Sequence, residues 1–205
     1  MCSSDTTDRL ARDLAVPGRC RGAALARWAE LCRARFGDAA LVRVRDRLRA
    51  AGRDLPDAAG RDLPDAPPKD AWYPVGVQLV LTAAIIDECL GGDEGALAPI
   101  VIEDVQAGLP RVAAIFLRTA GPGPVLARAR QLHAHLYDIG HVDATTRSGG
   151  ATVHYEGAAL FVHPIWRLLQ RCAYRGLVQL AGRELLSVDE ATPSDAGWRV
   201  DLVWR

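Results

Sequence analysis

The sequence predicts a helix-rich α+β fold, in which a helical layer packs on a small antiparallel sheet. Apolar residues recur at helical spacing through most of the chain before residue 141. Residues 141–157 instead alternate polar and apolar side chains around Gly149-Gly150, and the alternation returns from Trp198 to Trp204. Such alternation is typical of strands with one buried face, so we expect both helices and a small sheet.

The N-terminal segment, residues 1–13, is polar and charged, and we expect it to be disordered. The remainder, residues 14–205, predicts a single domain. Its first elements are, in order, a strand within 14–20, a helix over 22–36 and a helix over 39–50. Gly37 ends the first of these helices, and Asp38 can cap the second.

The segment 51–66 consists of the octapeptide AGRDLPDA written twice, and Pro67-Pro68 follow it. Two copies of eight residues cannot build a core of their own, so the repeat does not indicate a solenoid. We therefore expect an inserted surface loop over 51–70, where extra chain length costs little loop-closure entropy.

Three further helices are predicted between residues 75 and 119. A strongly apolar helix over 75–90 follows Trp72-Tyr73-Pro74, and helices over 93–107 and 110–119 come next. The residues expected to point inward from the first are Val77, Val80, Leu81, Ala84 and Ile85.

A central helix is predicted from Pro124 to Ile139, because Gly140 can end it. Its apolar stripe is Val125, Ala129, Leu132, Leu136 and Ile139. His133 and His135 flank this stripe about 160° apart around the helix axis, so they cannot share one metal ion.

A hairpin is predicted over 141–157, with Gly149-Gly150 as a two-residue turn. This register pairs Arg147 with Thr152, Thr145 with His154, Asp143 with Glu156, Thr146 with Val153 and Ala144 with Tyr155. It gives a polar face with Asp143, His154 and Glu156, on which the two carboxylates face each other. It also separates His141 from His154 by roughly 13 Å, which is too far for joint metal ligation.

The C-terminal region predicts the longest helix, over 164–182, followed by two strands. The inward face of the helix is Ile165, Leu168, Leu169, Cys172, Ala173, Gly176 and Leu180. The clearer strand alternates Trp198, Val200, Leu202 and Trp204 with mostly polar residues. We expect its apolar face to pack on Leu168, Leu169 and Cys172.

Composition excludes several classes of protein. Lys plus Arg and Asp plus Glu each number 25, and this balance argues against a nucleic-acid binder. No apolar run approaches the ~20 residues of a membrane span, and the polar N-terminus is not a secretory signal. Five cysteines without a C-x-x-C pair indicate reduced thiols, and hence a cytoplasmic location.

Four pieces of the chain, taken in order, resemble the DUF2378 family, which is abundant in myxobacteria. They are WYP at 72–74, GLPRVAAIFLRTAGPGPVLARARQLHAHLYDIG at 108–140, the polar hairpin at 141–157, and CAYRGLVQLAGRELLSVDE…WRVDLVW at 172–204. That family is related to the 4-vinyl-reductase and heme-NO-binding group, which includes TRAPP-type trafficking subunits. The resemblance implies a helical layer on a small antiparallel sheet, often with an apolar cavity and dimer-forming helices.

Two motifs of that group are missing here. Domains of the 4-vinyl-reductase type often end in C-x-x-x-G-D-x-x-C, whereas residues 189–198 read DEATPSDAGW without a cysteine. The heme-NO-binding motif Y-x-S-x-R is also unmatched, since the nearest string is Tyr174-Arg175-Gly176. We therefore expect no metal, no heme and no other cofactor.

The sequence predicts a ligand-binding signalling domain rather than an enzyme, because it has no P-loop, no G-x-S-x-G and no H-E-x-x-H. No catalytic residue is assigned. We expect an apolar small molecule to bind between the 75–90, central and 164–182 helices. The candidate pocket residues are Trp72, Tyr73, Leu81, Ile85, Phe116, Leu132, Leu136, Trp166 and Leu169.

Two alternatives stay open. A TRAPP-like module would use exposed apolar helix faces to form a homodimer or to bind a regulatory protein partner, and such faces resemble a pocket lining in sequence. An enzyme that uses Asp143 and Glu156 as a carboxylate pair is the weaker alternative.

Overall fold

The structure is a computed structural model that describes residues 3–52, 67–108 and 111–205. It confirms the helix-rich α+β class. The chain divides into two compact units, of which unit 1 is Met1–Glu94 with His135–Asp138 and unit 2 is Gly95–Ala134 with Ile139–Arg205. Compact units can lie within one domain, so the single domain expected over 14–205 stays a prediction.

Unit 1 is built around one buried helix. Its elements are α1 (Ser3–Leu14), β1 (Arg19–Arg21), α2 (Gly22–Phe36), α3 (Asp38–Ala51), β2 (Trp72–Pro74) and α4 (Val75–Cys89). Strands β1 and β2 pair antiparallel. Every residue of α4 from Val75 to Ile86 is buried, a wider face than the sequence pattern predicts. A helix that is apolar all round is stable only when other elements surround it.

The prediction that residues 1–13 are disordered is wrong for the part that the structure describes, because α1 begins at Ser3. Leu10 and Leu14 of α1 are buried, and their apolar surface stabilises the helix against α4. A Cβ atom on Gly76 of α4 would lie 2.3 Å from the Leu14 carbonyl oxygen, so this packing requires a glycine.

The loop expected over 51–70 falls mostly outside the described residues, which resume at Pro67 after Gly52. The octapeptide repeat at 51–66 therefore stays a prediction.

No single helix within the described ranges is long and apolar enough to cross a membrane. By length and composition alone, Val75–Cys89 and Glu94–Gln106 meet that requirement only as a bent pair.

Unit 2 combines helices with a four-stranded antiparallel sheet of strand order β3-β4-β6-β5. Its elements are α5 (Leu97–Gly108), α6 (Arg111–Ala120), α7 (Gly123–Leu126), most of α8 (Ala129–Leu136), β3 (His141–Arg147), β4 (Gly150–Glu156), α9 (Pro164–Leu180), β5 (Leu185–Ser194) and β6 (Gly197–Trp204). A 3₁₀ turn over Ala159–Val162 precedes α9. Helix α9 packs mainly on α5.

The central helix is shorter than predicted and broken. It forms α7 and α8, which are separated at Ala127 and Arg128, and it ends at Leu136 rather than Ile139. The predicted stripe is also wrong at Leu132, whose side chain is 50% exposed.

The hairpin forms, but its partners differ from the prediction by two residues. The turn is Ser148-Gly149, and Gly150 belongs to β4, where it pairs with Arg147. A shift of two residues keeps every side chain on its predicted face. Asp143 therefore faces His154 rather than Glu156, and Glu156 faces His141.

The predicted inward face of β6 is confirmed, since Trp198, Val200, Leu202 and Trp204 are all buried. Trp198 stacks on Tyr155 of β4 and lies under the Arg167 guanidinium of α9, 5.5 Å from ring centre to guanidinium carbon. The expected contact of this face with Leu168, Leu169 and Cys172 stays a prediction.

Candidate functional site

A narrow apolar cleft, too tightly packed to hold a water molecule in this structure, lies in unit 1. Helices α2, α3 and α4 form it, because each has an apolar stripe that faces the other two. The lining residues are Trp28, Ala29, Cys32, Leu41, Val44, Leu81 and Ile85. All of them are buried except Trp28, which is half-buried. The cleft thus offers apolar surface and one thiol, without a charged group.

The thiol in the cleft, that of Cys32, is hydrogen-bonded to a second thiol, that of Cys89 at the end of α4. Burial is the main cause that raises the pKa of Cys32 to about 12, so this thiol is protonated at neutral pH. Burial also raises the pKa of Cys89, whereas its hydrogen bond with Cys32 and the nearby Arg43 lower it.

Of the nine pocket residues proposed from the sequence, Leu81 and Ile85 line this cleft. Trp72 and Tyr73 are half-buried on β2, outside the cleft. The Trp72 ring instead lies under the Arg21 guanidinium, at 4.1 Å.

The other five proposed residues are scattered. Phe116 and Leu132 are 51% and 50% exposed, so neither is enclosed by protein. Trp166 and Leu169 are buried on α9, and Leu136 is half-buried at the end of α8. The larger pocket expected between three helices stays a prediction.

Unit 2 contains a cluster of aromatic side chains around His133. This histidine was predicted to flank the apolar stripe of the central helix. His133 Nε2 donates to the Ile139 carbonyl at 2.7 Å, and its ring contacts the rings of Phe161 and Trp166. Burial lowers the pKa of His133 below its usual 6.5, and the nearby His141 acts in the same direction. His133 is therefore neutral at neutral pH.

The lowered pKa of His133 predicts a pH-dependent stability. The unfolded chain takes up a proton near pH 6.5 and the folded chain only at lower pH, so stability falls as the pH drops below about 6.5. His133→Gln keeps a donor but cannot titrate, and we expect it to reduce the loss of stability between about pH 7.5 and pH 5.5. Urea unfolding at the two pH values measures this loss.

The control for His133 is His135→Gln, since His135 is exposed on the same helix. It should leave the pH dependence of the wild type unchanged. An equal reduction in both variants would contradict the assignment to His133.

Two buried tyrosines link the sheet to α9 in the same unit. The hydroxyls of Tyr155 and Tyr174 are hydrogen-bonded to each other, and Tyr155 also donates to Gln170 Oε1 at 3.3 Å. Burial raises the pKa of both phenols, so both are protonated at neutral pH. Their polar atoms are satisfied within the protein, and the pair therefore joins two elements of the core.

Two carboxylates on the polar face of the sheet form ion pairs with nearby arginines. Arg130 forms an ion pair with Asp143 at 3.0 Å, and Arg199 with Asp201 at 2.6 Å. The hydrogen bond from Thr152 is the main cause that lowers the pKa of Asp201. Asp143 and Glu156 lie two positions out of register, so the prediction that these carboxylates face each other is wrong, and the enzyme alternative that uses them stays a prediction.

The described side chains do not fit a metal ion. Among them, no group of three His, Cys, Asp or Glu residues could hold one. His141 and His154 lie on neighbouring strands two positions out of register, roughly 7 Å apart and closer than predicted. No third ligand completes this pair within the described part of the chain.

A heme group takes its axial ligand from His, Cys, Met or Tyr. Among the described residues, the buried tyrosines are engaged by the protein itself, since Tyr155 pairs with Tyr174 and Tyr137 donates to Gln78 at 3.2 Å. The half-buried His133 bonds through Nε2 to a backbone carbonyl, an arrangement that metal-ligating histidines also use for their second ring nitrogen. Burial raises the pKa of the thiols of Cys20, Cys32 and Cys172, which disfavours the ligating thiolate. The buried tyrosines and thiols of the described residues are therefore poor heme ligands, and the absence of heme stays a prediction.

No protein-family model matches the chain, and no curated protein matches it. Among solved structures, the Fe(II) unliganded H-NOX protein from K. algicida is 8% identical, with a TM-score of 0.58 over 90% of this chain and 96% of that one. A variant of Tt H-NOX is 10% identical, with a TM-score of 0.60 over 90% and 95% of the two chains.

A third similar structure is an oxygen-binding H-NOX domain related to soluble guanylate cyclases. It is 12% identical, with a TM-score of 0.54 over 90% of this chain and 94% of that domain. At such low identity the likeness shows the fold alone, and this chain has an H-NOX-like fold.

Proposed function

We propose that this protein is a non-enzymatic sensing domain that binds a small apolar molecule at the cleft of unit 1. The observation that carries the proposal is the lining of the cleft, in which three helices contribute apolar side chains and one protonated thiol. Such a lining favours a ligand through burial of apolar surface, and it supplies no general acid or base. The H-NOX-like fold supports sensing as the class of function, because one similar domain is described as oxygen binding.

The size of the cleft restricts the ligand. The lining side chains leave no space for a water molecule in this structure, whereas ordinary ligand pockets measure roughly 300–1,000 Å³. A ligand therefore enters only when a lining side chain moves. Trp28 is the largest lining residue and the one that is not fully buried, so its rotation is the simplest way to open the cleft.

Benzene is a suitable probe, since it enters dry apolar cavities. Saturation-transfer NMR should show saturable benzene binding to the wild-type chain. Ala29→Phe fills the cleft and should weaken binding by about tenfold or more, which corresponds to about 1.4 kcal/mol. A circular-dichroism melt establishes whether this variant folds, and Val44→Leu, a smaller increase in volume, replaces it if it does not.

Ala39→Phe is the matched control, because Ala39 is exposed near the start of α3 and does not line the cleft. It makes the same chemical change and should bind benzene as the wild type does. Equal benzene binding by the Ala29 and Ala39 variants would contradict the proposal. The absence of a saturable signal from the wild type would also contradict it.

The alternative function, a homodimer or an interaction module, has its own observation. Ile115 and Phe116 are adjacent on α6 and are 64% and 51% exposed. Large apolar side chains that stay exposed together are typical of interaction surfaces. Native mass spectrometry should then show a dimer that Phe116→Asp dissociates, whereas a wild-type monomer at every concentration would contradict this alternative.

A further inference from the structure

The structure brings together two cysteines that are far apart in sequence. Cys32 lies in the C-terminal third of α2, and Cys89 is the last residue of α4. Both are free thiols, and their side chains are hydrogen-bonded to each other.

The two thiols differ in accessibility. Cys32 is 1% exposed, whereas Cys89 is half-buried, so a reagent in solution reaches Cys89 first. Cys89 ends its helix, and Leu90 already has non-helical backbone angles. The backbone at Cys89 is therefore less constrained than the middle of a helix, which helps the two sulfurs approach to bonding distance.

Two arginines of α3 contact the residue next to the more accessible thiol. Arg47 Nε donates to Glu88 Oε1 at 2.7 Å, and Arg43 Nε lies 3.6 Å from Glu88 Oε2. Glu88 precedes Cys89, so these contacts hold the end of α4 beside two guanidinium groups. Burial raises the pKa of the Cys89 thiol and the nearby Arg43 offsets part of this rise, which keeps more of the thiolate, the nucleophile in thiol–disulfide exchange.

We propose that Cys32 and Cys89 form a reversible disulfide that joins α2 to the end of α4, with a small-molecule disulfide such as oxidised glutathione as the oxidant. Cys32 also lines the apolar cleft, so the modification would change one wall of that cleft. Formation of the bond requires no ligand, and its test is independent of the proposed sensing function.

The thiol–disulfide exchange proceeds in two steps. The Cys89 thiolate attacks a sulfur of oxidised glutathione, which forms a mixed disulfide and releases one glutathione thiolate. Cys32 then loses its proton, and its sulfur attacks the Cys89 sulfur and displaces the second glutathione thiolate. The two protein thiols are oxidised, one glutathione disulfide is reduced, and both protons end on the two glutathione molecules.

The test uses the full chain equilibrated in buffers with different ratios of reduced to oxidised glutathione. Peptide mapping after alkylation should show a 32–89 linkage and an intact mass lower by two hydrogens. The linkage closes a long loop, so we expect the melting temperature to rise by about 5 °C and to return after dithiothreitol is added. Cys89→Ser should abolish both the linkage and the rise.

Cys172→Ser is the matched control, since Cys172 is a buried cysteine on α9 and makes no contact of this kind in the described structure. It should keep the linkage and the thermal shift. Cys32→Ala serves as a second variant that avoids a buried hydroxyl. Failure to form the 32–89 linkage in fully oxidised buffer would overturn the proposal, as would a mixed disulfide at Cys89 that never resolves.

Discussion

Replacement of Trp198 by alanine is expected to lower the free energy of unfolding by about 4 kcal/mol, near the upper range for large-to-small changes in a core. Trp198 has no exposed surface, and its ring stacks on Tyr155 with 5.0 Å between centres. Its indole Nε1 donates to Glu190 Oε2 at 3.1 Å. The substitution removes a large apolar area, one ring contact and one hydrogen bond from the central strand of the sheet.

Urea unfolding followed by far-ultraviolet circular dichroism measures the loss at Trp198. Trp72→Ala is the matched control, because Trp72 is half-buried on a three-residue strand and its ring contacts are with arginines. We expect it to cost less than about 2 kcal/mol. Equal losses at the two tryptophans would show that the buried face of β6 has been assigned wrongly.

Gly140→Ala is expected to destabilise unit 2 by about 3 kcal/mol or more. Gly140 has φ of +63°, and a side chain in this left-handed conformation costs roughly 1–2 kcal/mol. A Cβ atom there would also lie 2.3 Å from the Phe161 ring and 2.8 Å from the Glu156 carbonyl oxygen. Relief of such overlap costs typically 1–3 kcal/mol more, since the ring is held in a packed aromatic cluster.

Gly182→Ala separates the two causes of strain at Gly140. Gly182 has a similar φ of +67°, but a Cβ atom there meets nothing within 4 Å. It should cost about 1 kcal/mol, the conformational part alone. Chemical denaturation of both variants gives the comparison, and a Gly140 variant no less stable than the Gly182 variant would contradict the packing argument.

The order of helices and strands after α1 was predictable, apart from β2 and the break between α7 and α8, because local periodicity reports which face of each element is buried. The hairpin shows that local periodicity does not determine which residues pair between strands. Period-two alternation places Asp143, His154 and Glu156 on the polar face in either register, so the faces were right although the partners were wrong. A Cβ atom on Gly150 would lie 2.7 Å from the Leu202 carbonyl oxygen, which ties this glycine to β4. That contact comes from β6, a strand too distant in sequence for local patterns to report.

The prediction of one continuous central helix was wrong for a related reason. Its apolar spacing continues across Ala127 and Arg128, so the pattern shows no break there. In α8, His133 contacts Phe161, whereas Leu132 is exposed. A histidine on a buried face carries no sequence signal that separates it from a surface histidine.

The candidate site was predictable only in part. Leu81 and Ile85 were identified because the apolar pattern of α4 is strong. Contact between Cys32 and Cys89 depends on how α2 and α4 pack, which spacing along the chain cannot show. The relation to the DUF2378 family stays a prediction, as do the cytoplasmic location and the homodimer.

The assignment of His135–Asp138 to unit 1 constrains how the chain can be divided and in which order it folds. Within unit 1, Tyr137 pairs with Cys20 and bonds to Gln78, and Asp138 forms an ion pair with Arg19. A fragment that ends at Glu94 would lack these partners and leave the buried amide of Gln78 without its tyrosine. During synthesis on the ribosome, unit 1 therefore cannot reach its final structure until Asp138 has emerged, by which time part of unit 2 has already been made. A library of nested truncations would consequently yield no soluble, natively folded unit 1 from any fragment that stops before Asp138.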